Sequence, residues 1–223
     1  MEYKTITYQD IKNNEEISVY VKQGDFSMEA MGYTEHGIRH VTKCAHLVKQ
    51  ILTEYGSEER EIELGQIAAY MHDIGNSVNR TMHAQSGACM AFSLLRDLGM
   101  PPKEIARVVT AIGNHDEKAA HCINPIGAAL ILADKTDVRR SRVHNPSSKP
   151  FDIHDQVNYS VLNSETIINK EDRTITLVLK IDTDFCPVMK YFTIYTSRME
   201  LCETAAKFLG FEFKLKINGQ NIL

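Results

Sequence analysis

Six residues carry the chemistry that this sequence offers: His40, His72, Asp73, His83, His115 and Asp134. Imidazole and carboxylate are the side chains that hold borderline divalent metals, and a catalytic site needs several of them converging while some coordination positions stay open to water and substrate. The chain has nine histidines, most of them between His36 and His121. A single histidine on an apolar helix is normally a hydrogen-bonded core residue, so the weight rests on the set. A buried Asp beside several histidines would be costly to leave unpaired, and a metal ion is its natural partner.

Helices must bring these side chains together. From about residue 34 to 135 the apolar residues recur at helical intervals, broken by Gly, Pro and Asn. The pattern predicts a helix over Glu35–Tyr55, striped by Ile38, Val41, Ala45, Val48 and Leu52, and a second over Glu58–Asp73 that Gly75 stops. A third covers Ala84–Leu98, closed by Gly99 and Pro101-Pro102. A fourth covers Pro102–Gly113 and runs into Asn114-His115. A fifth starts at the Asn124-Pro125 cap and reaches Asp134. Each helix delivers a polar residue near one end. Neighbours on a helix point about 100° apart, so His72 and Asp73 face one site only if the backbone loosens there, which the Gly75 stop is expected to provide.

After Arg139 the character changes to turn-rich sequence. The chain divides into an N-terminal cap segment (1–33), a helical metal-binding domain (34–143), a linker (144–158) and a small α+β unit (159–223). In that last unit, strands are expected at Ser160–Asn169 and Arg173–Asp182, a helix at Pro187–Leu209 and a strand at Phe211–Ile217. This ββαβ unit holds no cluster of metal ligands and reads as a packing or homodimerisation layer. The fold class is mainly α.

Composition narrows the partners. With 43% hydrophobic residues there is material for a core, and the net charge of −4 is interspersed, so no basic field attracts nucleic acid or an anionic membrane. A small ligand is expected instead. The five cysteines are widely spaced and lack a Cys-x-x-Cys pair, which reads as reduced thiols. Neither a signal-peptide run nor a stretch of roughly 18 apolar residues occurs, so a cytoplasmic location is expected.

In combination the six residues resemble the HD-domain superfamily of metal-dependent phosphohydrolases, over about Glu35 to Arg142. The resemblance is carried by the 32-residue step from His40 to His72, His-Asp-Ile-Gly at 72–75, His83 with Gly87, Asn114-His115, and Ala133-Asp134-Lys135. It implies an HD helical bundle in which His40, His72, Asp73 and Asp134 hold one metal, while His83 and His115 hold a second with Asp73 bridging. It also implies a metal-bound hydroxide that attacks the phosphorus of a small phosphorylated substrate, a nucleotide among the candidates. The metals expected are divalent, Fe or Mn first, with Mg, Ni or Zn as alternatives. Catalysis is assigned to Asp73, Lys135 and Arg80.

Two departures qualify this. The lysine usual after His-Asp-Ile-Gly is Asn76, although Arg80 and Lys135 remain as cations, and no Gly-Tyr-Pro signature follows His115, which disfavours cyclic di-GMP. Asn76 favours an alternative, an HD-fold metal-containing sensing or binding module with little turnover. A one-metal nucleotidase is a third reading. Lys135 and Arg139 would share a helix face and meet phosphate, and Asp137 and His121 are candidates for proton transfer. The Arg139–Arg142 cluster is a solvated helix end or a phosphate clamp. His36 is open between an extra ligand, a cap and a substrate contact. His46, His144 and His154 are expected to be solvated.

Overall fold

The structure is a computed structural model that describes residues 3–117, 120–144 and 152–223. Two short N-terminal helices, α1 (Tyr8–Lys12) and α2 (Glu15–Ala30), precede the bundle. Both have side-chain caps, from Thr7 and Asn14. The bundle consists of α3 (Ile38–Tyr55), α4 (Glu59–Met71), α5 (His83–Leu98), α6 (Pro102–Gly113) and α7 (Pro125–Lys135). On α3 the stripe Val41, Cys44, Ala45, Val48, Ile51 and Leu52 is wholly buried, and left-handed Gly56 ends the helix.

α7 lies at the centre. Every residue from Ile126 to Ala133 is buried, as a helix that is apolar all round requires. α4 crosses α3 closely at Gly65, where a Cβ would lie 2.5 Å from Leu52 Cδ1. α2 lies across a 3-10 turn, Ile74–Ser77, that follows α4, with Gly24 against Asn76.

Residues 145–151 of the turn-rich connector lie outside the described residues. The span read as a linker nonetheless ends in a helix, α8 (Ile153–Ser160), capped by Asp152, whose carboxylate accepts from Asp155 N at 2.8 Å. Strands β1 (Val161–Asn169) and β2 (Thr174–Ile181) pair antiparallel, and α9 (Val188–Phe208) crosses to β3 (Glu212–Ile217), which lies parallel to β2. A two-residue strand, β4 (Gln220–Asn221), folds back on β3, so the order is ββαββ rather than ββαβ. Ile175, Leu177, Leu179, Phe213, Leu215 and Ile217 alternate onto one buried face. α9 packs on both β3 and α7, and one continuous apolar core runs through the bundle and this unit. Among the described residues no helix is long and apolar enough to cross a membrane.

Candidate metal centre

Five helix ends converge on one buried point. His40 stands in the first turn of α3, His72 caps the end of α4, His83 opens α5, His115 follows α6, and Asp134 is in the last turn of α7. The backbone leaves the helix at Asp73, with φ −99° and ψ 2°, and this turns adjacent His72 and Asp73 toward the same space. The loosening is where the sequence predicts it, but Gly75 serves another purpose. Gly75 has no left-handed φ. A Cβ there would overlap the carbonyl oxygen of His83 and lie 2.5 Å from Gly87 N. Gly75 and Gly87 are therefore glycines because the His-Asp turn and the start of α5 touch backbone to backbone, which brings Asp73 next to His83.

Each imidazole is oriented by its outer nitrogen. Nδ1 of His72, His83 and His115 lies 2.7, 3.1 and 2.6 Å from the carbonyl oxygens of Ala69, Arg80 and Ile112, and His40 Nδ1 lies 2.8 Å from Asp137 Oδ2. Carbonyl and carboxylate oxygens only accept, so Nδ1 carries the hydrogen in each case and Nε2 is left as an acceptor facing inward, with Arg80 Nη1 3.3 Å from that of His83. His83 Nε2 and His115 Nε2 stand 3.2 Å apart. Two lone pairs at that distance repel unless a cation lies between or beside them.

Asp73 joins the two halves of the site. Its Oδ2 is 3.1 Å from His72 Nε2 and 3.6 Å from His40 Nε2, while Oδ1 is 3.5 Å from His83 Nε2. Asp134 Oδ1 is 3.3 Å from His40 Nε2. His72 Nε2 and Asp73 Oδ2 are buried without a hydrogen-bond partner among the described residues. Such atoms are expensive in a protein interior unless something else satisfies them. The donor atoms of His40, His72 and Asp134 lie within 4.8 Å of one another, as do those of His72, Asp73 and His115. This donor set fits divalent metal: imidazoles and carboxylates aimed at one space, with His72 Nε2 and Asp73 Oδ2 unsatisfied.

Charge balance favours the same occupant. Burial alone would raise the Asp73 carboxyl, but the attraction of the His72 ring, its Nε2 3.1 Å away, outweighs it and holds Asp73 well below the carboxylate range. Asp134 is likewise held down, against burial, by Lys135 and His40. Burial pushes His115 well down, and His72 and Lys135 add to it. His83 is also lowered, chiefly by burial. Carboxylates kept ionised beside His83 and His115 kept neutral are the protonation states that ligation needs, whereas at His72 burial is outweighed by the Asp73 carboxylate, which raises the imidazole.

The surrounding residues sort by what they touch. Asp137 is buried and receives His40 Nδ1–H, Lys43 Nζ at 2.8 Å and Arg139 Nε at 2.9 Å, so it orients His40 and lies outside the ligand cluster. Changing Asp137→Asn should weaken metal binding by roughly 10–100-fold. A metal titration with wild-type affinity would remove Asp137 from that role. His121 is exposed, and its backbone N–H donates to Asn114 O at 3.2 Å. Arg139 does not continue the Lys135 helix face. The chain is extended there, and the guanidinium is engaged by Asp137 and by Glu35 at 2.8 Å. Arg140 covers Tyr159 and bonds its carbonyl, and Arg142 spends its N–H groups on the carbonyls of Glu35 and Asp137. The arginine cluster is therefore a fastening between the bundle, the turn before α3 and α8, neither a solvated helix end nor a phosphate clamp.

A cavity of about 520 Å³ lies over Asp73, His83 and Asp134. Arg80 and Lys135, expected near phosphate, both line it, and His36 does too, its Nδ1 2.5 Å from Thr34 O. The sequence reading missed His154, Asn158, Tyr195 and Arg198, which α8 and α9 contribute to the opposite wall. His46 is exposed, and His144 lies 3.5 Å from Asp25. A roomier cleft of about 840 Å³ opens between α2 and α3, but it reaches none of the six ligand candidates.

The family model of the HD domain matches residues 37–139. The matched stretch, a little under half of the chain, is an HD domain. The matched residues span the whole ligand set, from His40 to Asp134. An uncharacterised protein of Methanocaldococcus jannaschii is 27% identical over 170 residues, covering 66% of this chain and 65% of that protein. Ribonuclease Y of Cutibacterium acnes is 27% identical over 105 residues, 47% of this chain and 17% of the ribonuclease. The chain thus spans just under two thirds of the first relative and a small part of the second. Among solved structures, a predicted HD superfamily hydrolase from an uncultured Thermotogales bacterium is 26% identical, with a TM-score of 0.43 over 56% of this chain and 67% of the other.

Proposed function

We propose that this HD domain is a phosphohydrolase with two divalent metals that acts on a small phosphorylated substrate, nucleotides included. The observation that carries the reading is the approach of Nε2 of His83 and of His115, 3.2 Å apart, on the side of Asp73 where Oδ1 lies 3.5 Å from His83 Nε2. One ligand group would take one cation, and this second group, on the far oxygen of Asp73, would take another. A metal pair bound there would lower the pKa of water toward ~7 and screen charge on phosphoryl oxygens.

The chain's own groups complete the chemistry. His40, His72, Asp73 and Asp134 would hold one metal and His83, His115 and Asp73 the other, Fe or Mn being favoured by the imidazole and carboxylate set. Lys135 Nζ, 2.7 Å from Asp134 Oδ2, and Arg80, whose Nη1 is 3.3 Å from His83 Nε2, bring positive charge to the cavity wall where phosphoryl oxygens would lie. RNA, implied for one relative by its name, is disfavoured here by the net charge of −4. Phosphate release from a panel of nucleotides and sugar phosphates, with added Mn or Fe, tests the proposal. Turnover that a chelator abolishes is expected, and the absence of release from every compound with every metal would end it.

A sensing module with little turnover is the second reading. It is favoured by Asn76, which stands where the family has lysine and whose amide donates to Asp73 Oδ1 at 2.8 Å.

A further inference from the structure

We infer that Arg198 of α9, acting with Lys135, is the receptor for the substrate's phosphate, so that the C-terminal unit forms part of the active site. This rests on the phosphohydrolase reading above. The other cations near the ligands are largely committed. Arg142 gives its N–H groups to backbone carbonyls, and Arg80 Nη1 is shared between Asn76 Oδ1 at 3.4 Å and His83. Asn76 itself is neutral and buried.

Arg198 is held in place with hydrogen-bonding capacity to spare. Its guanidinium lies 4.7 Å from the centroid of the Tyr195 ring. Tyr195 stacks on Tyr191 at 4.8 Å, and its hydroxyl accepts from Asn158 Nδ2 at 2.8 Å, which fixes the platform between α8 and α9. Arg198 Nε is buried without an aligned acceptor, and the two terminal nitrogens make no hydrogen bond among the described residues. A planar, pre-positioned fork of this kind suits the oxygens of a phosphate.

Glu117 marks where the anion would sit. One oxygen, Oε1, is 2.6 Å from Arg198 Nε and 3.9 Å from Lys135 Nζ, so a single anionic oxygen already lies between both cations. Glu117, Lys135 and Arg198 all line the cavity over Asp73 and Asp134. A phosphate dianion offers more oxygens and more charge than the carboxylate, and would displace it from Arg198. Glu117 is then the internal counter-ion that keeps the paired cations stable before substrate arrives.

Inorganic phosphate, titrated calorimetrically into the metal-loaded full chain, tests this. Arg198→Gln should raise the phosphate Kd at least about tenfold with metal content unchanged, and Arg198→Lys should recover only part of the loss, since it restores charge without the fork. Glu117→Gln should tighten phosphate severalfold, and this surface-facing change decides the matter if Arg198→Gln fails to fold. Wild-type phosphate affinity in Arg198→Gln, or in Glu117→Gln where that variant decides, overturns the inference. If wild type releases phosphate from substrates while Arg198→Gln keeps its KM, the inference falls and the hydrolase reading stands. If wild type neither binds phosphate nor releases it, both fall.

Discussion

Asp73→Asn should leave a folded chain that has lost metal and nearly all turnover. The substitution keeps size and shape but removes the charge that both halves of the site share through Oδ2 at His72 and Oδ1 at His83. It also offers an amide N–H₂ where a lone pair is needed. A metal pair contributes several kcal/mol of transition-state stabilisation and each 1.36 kcal/mol is tenfold in rate, so turnover should fall by roughly 10³-fold or more. Phosphate release measured beside metal content checks this. A variant that keeps wild-type turnover with less metal would show that Asp73 is not the shared ligand.

Gly75→Ala should be strongly destabilising. The new Cβ would meet the backbone of His83 and Gly87, and neither can swing aside as a flexible side chain would. Relief requires α5 to move away from the His-Asp turn, at a cost of about 3 kcal/mol or more. For a chain of this length that is roughly 6–12 °C in Tm. The same movement takes His83 away from Asp73, so metal binding should fall with stability. Thermal unfolding beside a metal titration checks both effects. A Tm within about 2 °C of wild type would mean that the two segments are not in contact. Gly65→Ala is the useful control, because the atoms it would meet are the tips of Leu52 and Val48.

The bundle was legible because its helices combine long apolar stripes with punctuation. α6 and α7 begin and end within a residue or two of the expected bounds, and β1, β2, α9 and β3 also fall where alternation and Gly/Pro breaks put them. The six ligand candidates converge because each stands at a helix end, a fact visible in the pattern before any coordinates. What was hidden has physical reasons. α1 and α8 have five and eight residues, too few to show a stripe, although Thr7 and Asp152 are cap residues that announce their starts. The role of Gly75 depends on a contact with α5 that helix-stop chemistry does not contain. Arg139 and Arg142 looked like free cations because their acceptors on Glu35 are about a hundred residues away in sequence. Arg198 and Tyr195 reach the cavity only through the packing of α9 on α7, and no local pattern encodes that.

The central claim is that Asp73 joins two metal positions, and the number of ions per chain tests it most directly. Elemental analysis of the purified full chain, reconstituted with Fe or Mn and freed of excess, should give two ions per chain. In His115→Ala it should give one, since that change removes a ligand of the second group and leaves His40, His72, Asp73 and Asp134 intact. A single ion in wild type that persists in His115→Ala would contradict the account, as would a chain that retains no metal.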